Sequence, residues 1–288
     1  MLVPHHASRW RLRLARAQSA LIPSTIDSEE TRVNTISEDF YIIAREPGAE
    51  NPAIPTWASR VDNPAMLAER SVAQVIRQDI PEVPGAFQLL NLLSAAECKR
   101  LVELTETLGY LEDAAVSLPR SIRHNHSTTW VADDITTDLL WRRSAHCFQR
   151  KDDFAGKRAL GLNGRLRFYR YAEGDYFAAH TDGSWPGSRI IDGELVANAY
   201  DDRWSQLSFL LFLSDDFVGG ATRFYVDPDH PGQPSRRQDP AHSVDVRTPR
   251  GGALCFPHGV HPLHCAHASE PISAGVKYII RSDVLFEL

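Results

Sequence analysis

The chain has 288 residues, 43% of them hydrophobic and 24% charged, with a formal charge of −6 and a pI near 6.0. That balance belongs to a globular protein with a full core, and without a basic footprint nucleic acid is not an expected partner. No apolar run approaches the roughly 18 residues of a membrane helix, and Cys98, Cys147, Cys255 and Cys265 form no C-x-x-C pair, so neither a zinc knuckle nor a redox dithiol is signalled.

A reducing, cytoplasmic setting is expected from the cysteines. Residues 1–36 read as a basic tail, with Arg9, Arg11, Arg13 and Arg16 ahead of the first acid, Asp27. On a helix Trp10, Leu14, Ala17 and Leu21 share one face and Arg9, Arg13 and Arg16 another, a pattern that also suits organelle targeting. Residues 37–84 read as an N-terminal extension. Its stretch through Pro47, Pro52 and Pro55 is expected to wrap over the surface, and a helix is expected from Pro64 to about Gln78.

Residues 85–288 are the expected main domain. Phe87–Leu90 is its first strand. Ser94 and Glu97 form a capping box, and Leu101, Val102, Leu104, Thr105 and Leu108 give the apolar stripe of a helix that stops at Gly109. Residues 114–131 are polar and suit either a pocket wall or a solvated loop. Asp133 or Asp134 caps a further helix towards Cys147. After residue 160 the texture turns to β: RLRFYRY, QLSFLLFLSDDF, GGATRFYV, GGALCFPHG and GVKYIIRSDVLF are short runs broken by Gly, Pro and Asp. They predict an antiparallel sandwich or barrel. Residues 183–204 and 227–247 are long polar loops of the kind that contact substrates.

Within residues 165–182 the strand RLRFYRY is followed by a bend at Gly174 and by His180-Thr181-Asp182. In extended backbone alternate side chains share a face, so His180 and Asp182 point the same way and make half of a metal site. A nitrogen and a hard oxygen together suit divalent iron, manganese or zinc if a further histidine joins them. The tail offers His258, His261, His264 and His267, and spacing to the H-x-D triplet does not choose among them. Lys277 stands ten residues after His267 at the opening of a strand.

From about Gly85 onward the chain resembles the iron(II)- and 2-oxoglutarate-dependent dioxygenases of the prolyl 4-hydroxylase type. The resemblance rests on Tyr171, Gly174, His180-Thr181-Asp182, Gly219-Gly220-Ala221-Thr222-Arg223-Phe224, and His267 with Lys277, in that order. It implies a mainly β fold with flanking helices (α+β), the double-stranded β-helix or jelly roll. It implies His180, Asp182 and His267 as the catalytic metal ligands, a facial triad with open positions. Lys277 is then the partner of the distal carboxylate of 2-oxoglutarate, supported by Tyr171 and Thr222. Arg281 competes for that role, because it lies on the same strand face as Lys277.

The implied cofactors are Fe(II), 2-oxoglutarate and O2, with ascorbate (vitamin C) as reductant. The implied reaction is hydroxylation of an unactivated C–H bond, coupled to decarboxylation of 2-oxoglutarate to succinate; an intact Asp182 sets it apart from halogenating relatives. Arg120, Arg123, Asn125, Trp185 and Arg223 are the expected substrate contacts. An arginine cluster suits a small, carboxylate-bearing molecule such as an amino acid, with a peptidyl proline or another protein side chain as the alternative. A non-oxygenase metal enzyme or a silent binding module on the same barrel is the remaining alternative.

Overall fold

The computed structural model describes residues 38–115, 118–150, 156–235 and 238–288. The basic tail and its targeting pattern lie outside the described residues. In chain order the elements are β1 (Phe40–Glu46), β2 (Ile54–Ser59), β3 (Ile76–Asp79), β4 (Phe87–Leu90), α1 (Ala95–Leu108), β5 (Arg123–His124), β6 (His126–Val131) and α2 (Asp134–Ser144), which runs into a 3-10 turn at Ala145–Phe148. There follow β7 (Ala159–Leu162), β8 (Arg165–Tyr171), β9 (Tyr176–His180), β10 (Arg189–Ile191), β11 (Glu194–Val196), β12 (Arg203–Phe212) and β13 (Val218–Gly219). The last are β14 (Thr222–Tyr225), β15 (Ser243–Val246), β16 (Ala253–Pro257), β17 (His267–Ser269), β18 (Ile272–Ala274) and β19 (Lys277–Glu287).

The fold is mainly β, with two short helices among the described residues. Ten strands form the larger sheet in the order β1-β2-β6-β8-β19-β12-β16-β4-β3, with β7 also paired to β19, and five form a smaller one, β15-β14-β17-β9-β5. The chain alternates between the sheets as it proceeds. The central strands of the larger sheet are buried on both faces, so they alternate between two cores rather than between core and water. Leu166 and Phe168 of β8 join Leu101, Leu104, Leu139 and Leu140 of the helices, whereas Tyr169 and Tyr171 join Phe177, Phe224 and Phe256 on the other side.

Residues 64–78 do not form the expected helix; they run through turns into β3. Asn63 and Met66 take left-handed backbone, at φ 49° and 48°, which breaks a helix at its start. The backbone groups find other partners. Asn63 exchanges hydrogen bonds with Leu67 through its amide, Arg100 donates to the Ala65 and Met66 carbonyls, and the Ala68 N–H donates to Glu97 Oε1 at 2.9 Å. The proline-rich stretch, expected to wrap over the surface, carries two strands. It pairs as β1 with β2, and β2 lies parallel to β6, which attaches this segment to the edge of the larger sheet. Pro55 is tolerated because β6 pairs only with residues 56–58, so its missing N–H costs no ladder bond there.

Glu97 ties these parts together. Ser94 and Glu97 form the expected capping box, with Ser94 N–H to Glu97 Oε2 at 2.8 Å and Glu97 N–H to Ser94 Oγ at 3.2 Å. Arg143 of α2 donates to Glu97 Oε1 at 2.7 Å and to the Leu92 carbonyl at 2.9 Å, and both side chains of this ion pair are buried. Burial alone raises the Glu97 carboxyl, but Arg143 and the Ser94 and Ala68 N–H donors outweigh it and hold the group down at about 2. A depressed carboxyl stabilises the fold above its ordinary value of 4.5 and stops doing so as pH falls towards 2. Glu97→Ala, which strands Arg143, is therefore expected to cost about 3–5 kcal/mol in denaturant unfolding. Its stability should also respond less to acidification between those pH values; a loss under about 1 kcal/mol contradicts this role for the pair.

Candidate metal centre and its cavity

Strand register assembles the cluster. In the antiparallel pair β9 and β17, His180 stands directly opposite His267, and Asp182 follows His180 by two residues as the chain leaves the sheet. The three side chains offer ligand atoms that all lie within 4.8 Å of one another. His180 Nε2 is 3.6 Å from Asp182 Oδ1, and His267 Nε2 is 3.8 Å from Asp182 Oδ2.

Each imidazole is held by its other nitrogen, His180 Nδ1 at 2.8 Å from the Ala178 carbonyl and His267 Nδ1 at 3.2 Å from the Cys265 carbonyl. A carbonyl only accepts, so Nδ1 carries the proton and Nε2 presents its lone pair to the cluster. Burial, then the neighbouring His180, pushes His267 down to about 3, which keeps it neutral and able to bind a metal. Burial acts to raise the Asp182 carboxyl, but Arg281 and the two histidines hold it well below the usual range. Two imidazoles and one carboxylate on one side of a cavity fit a divalent first-row ion with coordination positions left open.

His267 is thus the tail histidine placed with His180 and Asp182. His258 lies one hydrogen bond further out. It is buried, with Nδ1 at 2.8 Å from Ser208 Oγ and Nε2 at 3.0 Å from Ser205 Oγ, and Ser208 in turn donates to Asp182 Oδ2 at 2.5 Å. His261 and His264 belong to the turn between β16 and β17.

A cavity of about 240 Å³ opens between the two sheets beside the cluster. Three rungs of the β8–β19 pair form one wall: Tyr171 opposite Lys277, Tyr169 opposite Ile279, and Arg167 opposite Arg281. Arg281 marks the metal end, with Nη2 at 3.5 Å from Asp182 Oδ2 and 3.1 Å from Asp283 Oδ1. Two carboxylates therefore take up its charge and raise its pKa against the effect of burial.

Lys277, at the far end, differs. Only 1% of it is exposed, and Nζ donates to the Gly220 carbonyl at 2.7 Å and to Ser269 Oγ at 2.9 Å, both neutral. Burial, with Arg247 adding repulsion, lowers it to about 7, and no acid counters them. Gly220 presents that carbonyl from left-handed backbone, at φ +63°, a conformation that favours glycine, and an added Cβ would lie 2.3 Å from Ile272 Cδ1. Thr222, Ser269 and Tyr171 line the same end.

Of the expected substrate contacts, Arg123 and Trp185 line the cavity, and Arg120, Asn125 and Arg223 are not among its lining residues. Arg120 is held by the Glu112 carbonyl and the His124 ring. Asn125 is buried against the His126 carbonyl. Arg223 is occupied by Asp245 and Glu270. Sequence reasoning missed Arg167, Ser208 and Ser269. Arg167 could have been found, because it shares a strand face with Tyr169 and Tyr171 at alternate positions of RLRFYRY.

No protein-family model matches the chain, and no curated protein matches its sequence. Among solved structures, it is similar to the viral collagen prolyl hydroxylase vCPH of Paramecium Bursaria Chlorella virus-1 in its 2OG complex, with a TM-score of 0.45 and 14% identity over 73% of this chain and 99% of that one. A Pseudomonas putida prolyl-4-hydroxylase gives a TM-score of 0.44 and 16% identity over 70% and 92% of the two chains. A Burkholderia pseudomallei oxidoreductase of the 2OG-Fe(II) oxygenase family gives 0.29 and 13% over 74% and 65%.

His180→Ala or His267→Ala is expected to weaken Mn(II) and Fe(II) binding, measured by titration, by more than the roughly 10–100-fold lost with an outer hydrogen-bond partner. Ser208→Ala removes only the hydroxyl that steadies Asp182, and a loss of about tenfold is expected. Unchanged metal affinity in both histidine variants, with the fold intact by circular dichroism, counts against the site.

Proposed function

We propose that this chain is an Fe(II)- and 2-oxoglutarate-dependent dioxygenase that hydroxylates a C–H bond of a small, carboxylate-bearing molecule. The observation that carries this reading is Lys277. A buried cation without a carboxylate partner is costly unless an anion arrives to meet it, and the same cavity holds a three-ligand metal cluster. A dianion with a metal-binding keto acid at one end and a carboxylate at the other answers both needs. The order in which the chain supplies its strands to two facing sheets supports the double-stranded β-helix as the architecture.

His180, Asp182 and His267 are the residues that would hold iron. When bound, iron with 2-oxoglutarate and O2 supplies the oxidising chemistry, with ascorbate as an external reductant. Lys277 binds the distal carboxylate, with Thr222 and Ser269 beside it and Tyr171 as the floor, its ring 5.2 Å from Nζ. Tyr169, Leu210 and Ile279 line the cavity as its apolar middle, which excludes water from the reacting atoms. The Ala178 and Cys265 carbonyls hold the two imidazole protons in place on Nδ1. Arg123 and Trp185, both lining the cavity, are the expected residues that touch the substrate.

Succinate formation in the presence of Fe(II), 2-oxoglutarate and ascorbate tests the reaction. Lys277→Ala is expected to raise the 2-oxoglutarate requirement at least about tenfold with metal binding kept. In the unmodified protein that requirement should rise as pH climbs above about 7, since the carboxylate binds the protonated lysine. If Arg281→Ala raises the requirement and Lys277→Ala does not, the other cation is the anchor.

A further inference from the structure

We infer that Arg167, beside Trp185 at the metal end of the cavity, is a receptor for a carboxylate of the substrate. The inference rests on the oxygenase reading above. Arg167 is 7% exposed, yet lines the cavity. Its guanidinium donates no hydrogen bond among the described residues, and Nη1 is buried without a partner. The nearest acid oxygen, Asp283 Oδ2, is 3.9 Å away. Asp283 already pairs with Arg281 at 3.1 Å and accepts from Asn163 at 3.3 Å. A buried arginine with its donors unspent is costly unless an anion is supplied.

Charge balance points the same way. Leaving Arg123 aside, the cations Lys277, Arg281 and Arg167 face the acids Asp182 and Asp283, one on the wall and one behind it. A divalent metal and a dianionic co-substrate cancel each other, so among these five groups the positive charge is in excess. Lys277 serves the co-substrate at the far end and Arg281 is matched by two carboxylates; the charge left over is that of Arg167. Burial and the repulsion of Arg281 lower Arg167 only to about 10, so it stays charged at neutral pH.

Geometry names the class of ligand. The planar fork of an arginine matches the two oxygens of a carboxylate. Its guanidinium carbon lies 5.4 Å from the centre of the Trp185 ring, and that indole, 39% exposed, offers an apolar surface at the rim to the body of the same molecule. Arg167 also stands opposite Arg281, whose guanidinium reaches Asp182. A carboxylate held there places the adjoining carbons next to the metal ligands.

The test uses full-length protein loaded with Mn(II) and 2-oxoglutarate without oxygen, and titrates hexanoate, 3-phenylpropionate and N-acetyl-leucine against their methyl esters. The acids are expected to bind about tenfold to a hundredfold more tightly than the esters. Arg167→Gln should abolish that preference, and Arg167→Lys should keep part of it, while Mn(II) and 2-oxoglutarate affinities stay as in the unmodified protein. Arg167→Lys also serves if the glutamine variant fails to fold. Three results overturn the inference: no acid binds, the esters bind as well as the acids, or both Arg167 variants keep the full preference. A loss of 2-oxoglutarate affinity in both variants overturns it as well, because Arg167 is then a co-substrate contact. If the unmodified protein binds no 2-oxoglutarate at all, it is the oxygenase reading that fails, and with it the ground of this inference.

Discussion

The site depends on the register of β19. This strand lies between β8 and β12 at the centre of the larger sheet, and its inward positions are Lys277, Ile279, Arg281 and Asp283. Because side chains alternate strictly along a strand, a slip of one residue would turn all four towards the helices and bring Tyr278, Ile280 and Ser282 inward. Pairing to β8 brings Tyr171, Tyr169 and Arg167 alongside in matched rungs. The opposite wall is set in the same way by β9 against β17, where one pair of opposed positions brings two imidazoles together.

A cavity walled by two sheets is a low-dielectric place for so many charges, and the energetics turn on which are balanced. The cationic and acidic groups around Arg281 neutralise one another, and Ser208, His258 and Ser205 extend hydrogen bonding away from Asp182. This network fixes the carboxylate before any metal binds, which lowers the ordering cost of binding. Lys277 and Arg167 are not neutralised in this way. Such residues are poor contributors to stability and good receptors, so the two ends of the cavity are where ligands are to be sought.

The outer parts of the molecule follow a different logic. Residues 61–75 have little regular structure, yet Glu97, Arg100 and Arg143 satisfy backbone groups there. A proline at the start and scattered apolar residues imitate a helix in the sequence. The competing side-chain hydrogen bonds come from α1 and α2, more than twenty residues away, where local pattern does not reach.

The amino-acid sequence by itself determined the elements whose causes are local: the capping box at Ser94 and Glu97, a helix capped at Asp133 or Asp134, the five β runs, and the shared direction of His180 and Asp182. Each rests on neighbours a few residues apart and on periods of 3.6 or 2. Lys277 and Tyr171 were legible only as members of a spaced pattern, since nothing local marks a lysine as buried. The tertiary structure decided which of four tail histidines meets the H-x-D pair, because the pairing of β9 with β17 is long-range. It also decided that Arg223 and Arg120 are spent on nearby groups while Arg167 is left open in the cavity. Burial and charge balance are properties of the folded surroundings, and a residue's own letter carries neither.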